Sequence, residues 1–157
     1  MRFVLALLLV GCAADTRSRW ERDEIIVCAE GPEASAAAAA WAFPGVPKLI
    51  VSAEPGCAVE VSYGETLGDF AVTRSYGAPE LRLAFVRLSR RVPFGDATVY
   101  YDVVDLQGVL THEFGHVLGL DDSIDEGSVM DHDIAPGDLH HRRITWNDAR
   151  ALMELYR

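Results

Sequence analysis

Positive charge is scarce in this chain. Lysine and arginine together number 14 among 157 residues, against 24 aspartates and glutamates, which gives a formal net charge of −10 at pH 7. Because nucleic-acid binding relies on basic side chains that neutralise phosphates, this balance argues against a nucleic acid as partner. Half of the residues are hydrophobic, and that share suits one domain with its own core.

A long apolar run is missing as well. The run at residues 3–10 follows one positive residue, Arg2, and is too short to span a bilayer as a helix. Its layout is that of a signal peptide. Residues 9–12, LVGC, resemble a bacterial lipoprotein signal, in which the cysteine becomes the lipidated first residue of the mature chain. We therefore expect lipid on Cys12.

These features predict the order of segments in the chain. Residues 1–11 are expected to be the signal peptide, residues 12–22 a tether, and residues 23–157 the folded domain. The protein would then lie in the cell envelope, with membrane contact only through its lipid. The alternative is cleavage near Cys12 that releases a soluble secreted or periplasmic protein. Both routes export the domain.

Only three cysteines occur, Cys12, Cys28 and Cys57. If Cys12 carries lipid, the other two remain as a pair, and both lie in apolar stretches that are typical of strands. Disulfides persist in the oxidising compartments that exported proteins enter. Cys28 and Cys57 are therefore candidates for a disulfide, the alternative being two buried free thiols.

Residues 112–130, HEFGHVLGLDDSIDEGSVM, carry the candidate chemistry. On a helix, His112 and His116 lie on one face and can bind one metal ion. A catalytic zinc usually takes three protein ligands and lowers the pKa of its water from 15.7 to roughly 7. Glu113 can take the proton of that water and pass it to a leaving amine. This is the chemistry of peptide hydrolysis.

The pattern continues beyond the second histidine. Gly119 lets the helix end in a left-handed turn that leads the chain back toward the metal. The spacing from His116 favours Asp122 over Asp121 as third ligand. With Met130 a short loop later, the stretch resembles the metzincin zinc peptidases, and most closely their matrixin branch. Matrixins usually have a third histidine where this chain has Asp122, although some metzincin relatives use aspartate.

The resemblance implies a role for each of these residues. His112, His116 and Asp122 are expected to bind one catalytic zinc ion. Glu113 is the expected general base, and Met130 is expected to lie beneath the metal as an apolar floor. The anionic third ligand reduces the net charge of the zinc centre, so it should raise the pKa of bound water relative to a three-histidine site.

Other ligating side chains have less support. The acidic segment 121–133 lacks the glycine-punctuated run of oxygen ligands found in calcium loops, so calcium is an unsupported alternative there. His132, His140 and His141 lie in polar stretches, where a solvated histidine is the commoner situation. The alternatives for them are a second metal site or a place in the substrate pocket.

Strand and helix signals follow one another along the domain. Strands are predicted at residues 23–30, 48–53, 58–63, 69–74 and 80–88. Helices are predicted over the alanine-rich residues 33–43, over the metal motif after a cap at Asp105, and over residues 145–156 after a capping box at Thr145. The matrixin resemblance implies an α+β fold with a twisted, mostly parallel five-stranded sheet. One antiparallel edge strand would take up extended substrate, and residues 69–74 are our candidate for it.

Two functions from different classes follow. The first is an exported, monomeric zinc endopeptidase that acts on peptide or protein substrates. The second is a catalytically weak or inactive envelope module of the same fold, which holds a peptide or protein partner in the groove beside the edge strand. The presence of Glu113 favours the first function, and Asp122 is the only support for the second.

Overall fold

A computed structural model describes residues 18–66, 69–77 and 79–157. The predicted signal peptide and the predicted lipid site Cys12 lie outside the described residues. In chain order the elements are β1 (Glu24–Cys28), α1 (Pro32–Ala40), β2 (Lys48–Ser52), β3 (Val59–Gly64), β4 (Ala71–Tyr76), β5 (Leu83–Ser89), β6 (Phe94–Gly95), β7 (Val104–Asp105), α2 (Leu106–Val117), a 3₁₀ turn (His140–Arg142) and α3 (Trp146–Leu155).

The central sheet has five strands in the order β2-β1-β3-β5-β4. Four of them pair in parallel, and β4 pairs antiparallel with β5 at the sheet edge. The register of this last pair places Ala71 opposite Leu88 and Tyr76 opposite Leu83. The predicted α+β fold with one antiparallel edge strand is confirmed, and the edge strand begins two residues later than predicted.

One face of the sheet forms the core. Ile25, Val27, Val59 and Val86 point to this face and have no exposed surface, because successive side chains of a strand alternate between the two faces. The helices α1 and α2 cover this face, and they also contact each other. The alanine-rich sequence of α1 is suited to that contact, since small side chains allow two helices to approach closely.

Packing of the chain begins upstream of residue 23, within the segment that we expected to be a tether. Trp20 is buried, and its indole N–H donates a hydrogen bond to the Val117 carbonyl at 2.7 Å. The Tyr156 hydroxyl accepts from the Trp20 backbone N–H at 3.3 Å and donates to the Leu118 carbonyl at 2.9 Å. Both ends of the described chain are therefore fixed to the carboxyl end of α2.

Cys28, at the end of β1, and Cys57, just before β3, form a disulfide with their Cα atoms 5.5 Å apart. It joins two neighbouring parallel strands of the sheet. Among the described residues, no helix is long and apolar enough to cross a membrane.

Candidate active site and metal centre

The helix α2, which carries the metal motif, begins after an aspartate whose side chain has hydrogen bonds to two partners. As predicted, Asp105 is the N-cap, and its carboxylate accepts from the Gly108 N–H at 2.7 Å. The same carboxylate also accepts two hydrogen bonds from the guanidinium of Arg142, at 2.7 Å and 2.5 Å. Because the helix start is held from both sides, the rotation of α2, and with it the direction of the metal motif, is set at this end.

His112 and His116 face each other across one turn of α2. Their Nε2 atoms lie 3.1 Å apart. The Nδ1 atom of His112 is 2.9 Å from the Val129 carbonyl, and that of His116 is 2.8 Å from the Leu120 carbonyl. A carbonyl oxygen only accepts hydrogen bonds, so both Nδ1 atoms carry the proton in the neutral rings. Both Nε2 atoms are therefore unprotonated. Their lone pairs point toward a common centre, as in metal-ligating histidines.

Asp122 completes this group. The helix ends at Val117, and Gly119 follows the cap residue with a φ of +98°, which glycine adopts at little cost. The chain then turns back, and Asp122 Oδ1 lies 3.2 Å from Nε2 of His116 and 3.5 Å from Nε2 of His112. The neighbouring Asp121 is outside the group of donors that the structure brings together. The turn therefore delivers the aspartate that the spacing favoured.

The donor set fits zinc. Burial, and then the nearby His116, lower the pKa of His112 to about 4, so its imidazole is neutral and its Nε2 lone pair is free at neutral pH. Two facing lone pairs and a carboxylate repel one another, and a metal cation between them relieves that repulsion. Two imidazoles and one carboxylate, with a further position open, are a ligand set that catalytic zinc takes in proteins.

Glu113 points into the same space from a buried position. Its side chain is almost fully enclosed, and burial raises the pKa of its carboxyl group. The Thr73 hydroxyl, on the edge strand β4, donates to Oε2 of Glu113 at 2.5 Å. The edge strand thus fixes the position of the carboxylate from across the cleft.

Met130 is buried and packs against Gly115 of α2, between the two histidines in the sequence of that helix. The loop that precedes it closes through a hydrogen bond from the Ser123 N–H to the Met130 carbonyl, at 2.7 Å. Asp148 of α3 holds the loop from the other side, because its carboxylate accepts from the Ser128 hydroxyl at 2.5 Å and from the Val129 N–H at 3.1 Å. The Val129 carbonyl in turn accepts a hydrogen bond from Nδ1–H of His112, so this loop also orients a metal ligand.

Residues 14–157 match the sequence pattern of a family described as Matrixin, and the match includes the metal motif and the whole described fold. The chain belongs to the matrixin family. A comparison with individual curated proteins finds no match. Matrixins typically bind zinc, and the three donors described above are a group of residues in this matrixin domain that could hold the ion. The domain is therefore of the zinc metallopeptidase type.

An open cleft of about 1320 Å³ runs past this centre. Its lining includes β4 and residues 132–135, which follow the methionine loop. Five carboxylates line the cleft, and none of its described lining residues is lysine or arginine: the five are Asp69, Glu113, Asp121, Asp122 and Asp133. The cleft of this matrixin is therefore strongly negative.

The three remaining histidines differ in their surroundings. His132 is exposed and lines the cleft, as one of our alternatives had it. His140 is half-buried, and His141 is buried with 1% of its surface exposed. The expectation of a solvated loop histidine is therefore wrong for His141, because the 3₁₀ turn carries its ring beneath the methionine loop, where Nε2 lies 2.8 Å from the Asp131 carbonyl.

Several residues that shape the site were not found from the sequence. Gly115 lies in the middle of α2 and packs directly against Met130, where a Cβ atom would overlap the sulfur. Glycine inside a helix costs about 1 kcal/mol relative to alanine, and that cost was the available signal. Thr73 and Asp148 act on residues far away in the chain, so no local pattern indicates their roles.

Proposed function

We propose that this matrixin is an exported zinc-dependent endopeptidase in which Glu113 is the general base. The observation that carries the proposal is the meeting of three donor atoms, two of them bare imidazole nitrogens, at the floor of an open cleft. A buried carboxylate stands beside them. This combination supports hydrolysis at an electrophilic carbon better than it supports a closed structural metal site, which has four protein ligands.

In this proposal His112, His116 and Asp122 hold the zinc. When bound, zinc polarises the scissile carbonyl and lowers the pKa of water at the site. Glu113 takes a proton from the attacking water as the new C–O bond forms, and it gives a proton to the amide nitrogen as the C–N bond breaks. The raised pKa of Glu113 brings this carboxyl group closer to neutral pH, where it has to accept and release a proton in turn.

The edge strand β4 is the proposed binding site for substrate backbone. Its inner side pairs with β5, and its residues Ala71, Val72, Thr73 and Ser75 line the cleft. An extended peptide can add to the unpaired side as a further strand, with main-chain hydrogen bonds that are independent of substrate sequence. This arrangement suits an endopeptidase, because the substrate continues past the metal centre in both directions.

The charge of the cleft favours cationic substrates. Asp69 and Asp133 both line the cleft and are both exposed. A peptide with lysine or arginine near the scissile bond would gain favourable interactions with both carboxylates, whereas an acidic peptide would meet repulsion. We therefore infer that this matrixin cleaves basic segments of peptides or unfolded proteins in preference to acidic ones.

Export and lipid attachment at Cys12 remain part of the proposal. The apolar run at residues 3–10 and the residues before Cys12 support them. The disulfide between Cys28 and Cys57 supports an oxidising compartment such as the cell envelope. Release as a soluble secreted or periplasmic protein is the alternative, and the mass of the mature amino terminus distinguishes the two.

A second candidate function is a catalytically weak or inactive module that holds a peptide or protein partner in the same cleft. The observation in its favour is Asp122, whose negative charge makes the metal a weaker Lewis acid than three histidines would. In that case zinc and peptide would bind, but no peptide bond would be broken.

The experiment that separates the two compares wild type with Glu113→Ala on an unfolded, lysine-rich protein substrate. The peptidase proposal expects Glu113→Ala to keep its zinc and to lose cleavage by about 10²–10⁴-fold, the share of general base catalysis. Glu126→Ala, which removes an exposed carboxylate from the nearby loop, is the matched control and should cleave like wild type. Zinc binding without cleavage by wild type would favour the binding module.

A further inference from the structure

A second group of metal-ligating side chains lies after the methionine loop. Asp138, His140 and His141 each place one ligand atom within 4.8 Å of the other two. The Nδ1 atom of His140 lies 2.6 Å from Oδ2 of Asp138, and the two imidazole rings are 3.7 Å apart between their centres. The backbone N–H of His140 donates to Oδ1 of Asp138 at 2.9 Å, which fixes the carboxylate toward the pair.

The ring of His141 has a buried nitrogen without a hydrogen-bond partner. Nε2 of His141 donates to the Asp131 carbonyl, so its Nδ1 is the bare nitrogen of the neutral ring, and this atom is buried and unpartnered. Nδ1 of His140, beside Asp138, offers a second lone pair when the proton of that ring is on Nε2. Buried polar atoms in folded proteins nearly always have a partner, because an unsatisfied one costs about 1–3 kcal/mol.

A metal ion is the partner that suits these atoms. A bare imidazole nitrogen accepts a proton or binds a cation, and the hydrogen bond on the opposite nitrogen of His141 is the usual support of a metal-ligating histidine. Burial lowers the pKa of His141, which keeps the ring neutral and its lone pair available. Side-chain exposures of 27% for Asp138 and 33% for His140 leave a path for an ion to enter from solvent.

We propose that Asp138, His140 and His141 form a second zinc site, separate from the centre on α2, in which both histidines bind the ion through Nδ1. Two imidazoles and a carboxylate are ligands that zinc accepts, and they suit calcium or magnesium poorly. The proposal does not depend on zinc at the first centre, because the two groups share no ligand.

The place of this site in the fold gives it a structural role. His141 holds the carbonyl of Asp131, which directly follows Met130, and its ring centre is 6.0 Å from that of His112. The next residue, Arg142, is bonded to the N-cap of α2. A zinc ion at the second site would therefore fix the segment between the methionine loop and α3. The first part of this segment, residues 132–135, lines the cleft.

The test is the number of zinc ions per chain, measured by elemental analysis after equilibration with zinc sulfate and removal of free metal. Wild type is expected to hold two ions. Asp138→Asn and His140→Gln change the exposed side of the site and are each expected to hold one. His132→Gln is the matched control, because it removes an exposed histidine that belongs to neither group, and it should hold two.

A variant of the first centre makes the two proposals separable. His116→Asn is expected to hold one ion, and its combination with Asp138→Asn none. One ion in wild type that is lost with His116→Asn but kept in Asp138→Asn would overturn the second site. One ion in wild type that is lost only with Asp138→Asn would instead overturn the first centre and support the second.

Nitrogen NMR of the histidine rings provides a readout that needs no substitution. Addition of zinc sulfate to metal-free protein should shift the resonance of His141 Nδ1, with Nε2 of the same ring keeping its proton. If two ions bind but this resonance does not move, the second ion lies elsewhere and the proposal is wrong.

Discussion

The contact between Gly115 and Met130 leads to a prediction whose sign depends on the background. A Cβ atom added at Gly115 would overlap Sδ of Met130, and it would lie 3.0 Å from Met130 Cε and from Cζ2 of Trp41. Gly115→Ala should therefore push the methionine out of its place against α2. The same substitution removes an unfavourable glycine from the interior of α2, so two opposing effects have to be compared.

The opposing effects have known sizes. Overpacking of a core costs about 1–3 kcal/mol, and replacing a helical glycine with alanine gains about 1 kcal/mol. Gly115→Ala should then lower the free energy of unfolding by about 0–2 kcal/mol. Met130→Ala alone should cost about 2–5 kcal/mol by leaving a cavity. In the Met130→Ala background the overlap with Met130 is absent and the 3.0 Å approach to Trp41 remains, so Gly115→Ala should be close to neutral, with a gain of at most about 1 kcal/mol.

Urea unfolding of the metal-free single and double variants measures these values. The expected coupling in the free energy of unfolding is at least about 1 kcal/mol. The double variant should be more stable than the sum of the two single changes predicts. Strict additivity, with Gly115→Ala equally destabilising in both backgrounds, would show that the methionine does not rest on Gly115. The packing of Met130 against α2 would then be different from that described above.

Three further predictions concern pH, catalysis and substrate charge. Burial lowers the pKa of His112 from 6.5 to about 4. As the pH falls, the unfolded chain therefore binds a proton at this histidine before the folded protein does. The free energy of unfolding of the metal-free protein should decrease by about 2–3 kcal/mol between pH 6.5 and pH 4. Urea unfolding should show a smaller loss for His112→Asn, a comparison that is needed because the raised pKa of Glu113 acts with the opposite sign. Thr73→Val should reduce kcat/KM about 10-fold by removing a hydrogen bond to a charged group, with activity retained in Thr73→Ser; an equal loss in both would contradict the role of the hydroxyl. Asp69→Asn combined with Asp133→Asn should reduce the preference for lysine-containing over glutamate-containing peptides by about 3–10-fold at low salt, and an unchanged ratio of kcat/KM values would refute electrostatic selection.

The parts of the fold that were predicted from the sequence are those that local chemistry determines. Asp105 caps α2, and Thr145 forms the predicted capping box with Asp148, because each such pattern is complete within one helical turn. The spacing of His112 and His116 is local in the same way, and α2 carries both toward one centre. The strand pattern, together with the family resemblance, was sufficient for the sheet and its antiparallel edge.

The parts that were missed depend on contacts between residues far apart in the chain. Thr73 reaches Glu113 across 40 positions, and Asp148 reaches the methionine loop across 20. Trp20 donates to the Val117 carbonyl across 97 positions, a partner that its polar neighbours in sequence do not indicate. The burial of His141 has the same origin, since its polar neighbours in sequence give no sign of the loop that covers it.

The most direct measurement of the central claim is mass-spectrometric profiling of a peptide library, with zinc determined on the same samples. Wild type should release new amino termini at defined positions, most often in basic peptides, and should lose this activity on chelation and regain it with zinc. Glu113→Ala should contain as much zinc as wild type and release almost none. Full zinc occupancy of wild type without cleavage of any peptide, or equal cleavage by Glu113→Ala, would contradict the account.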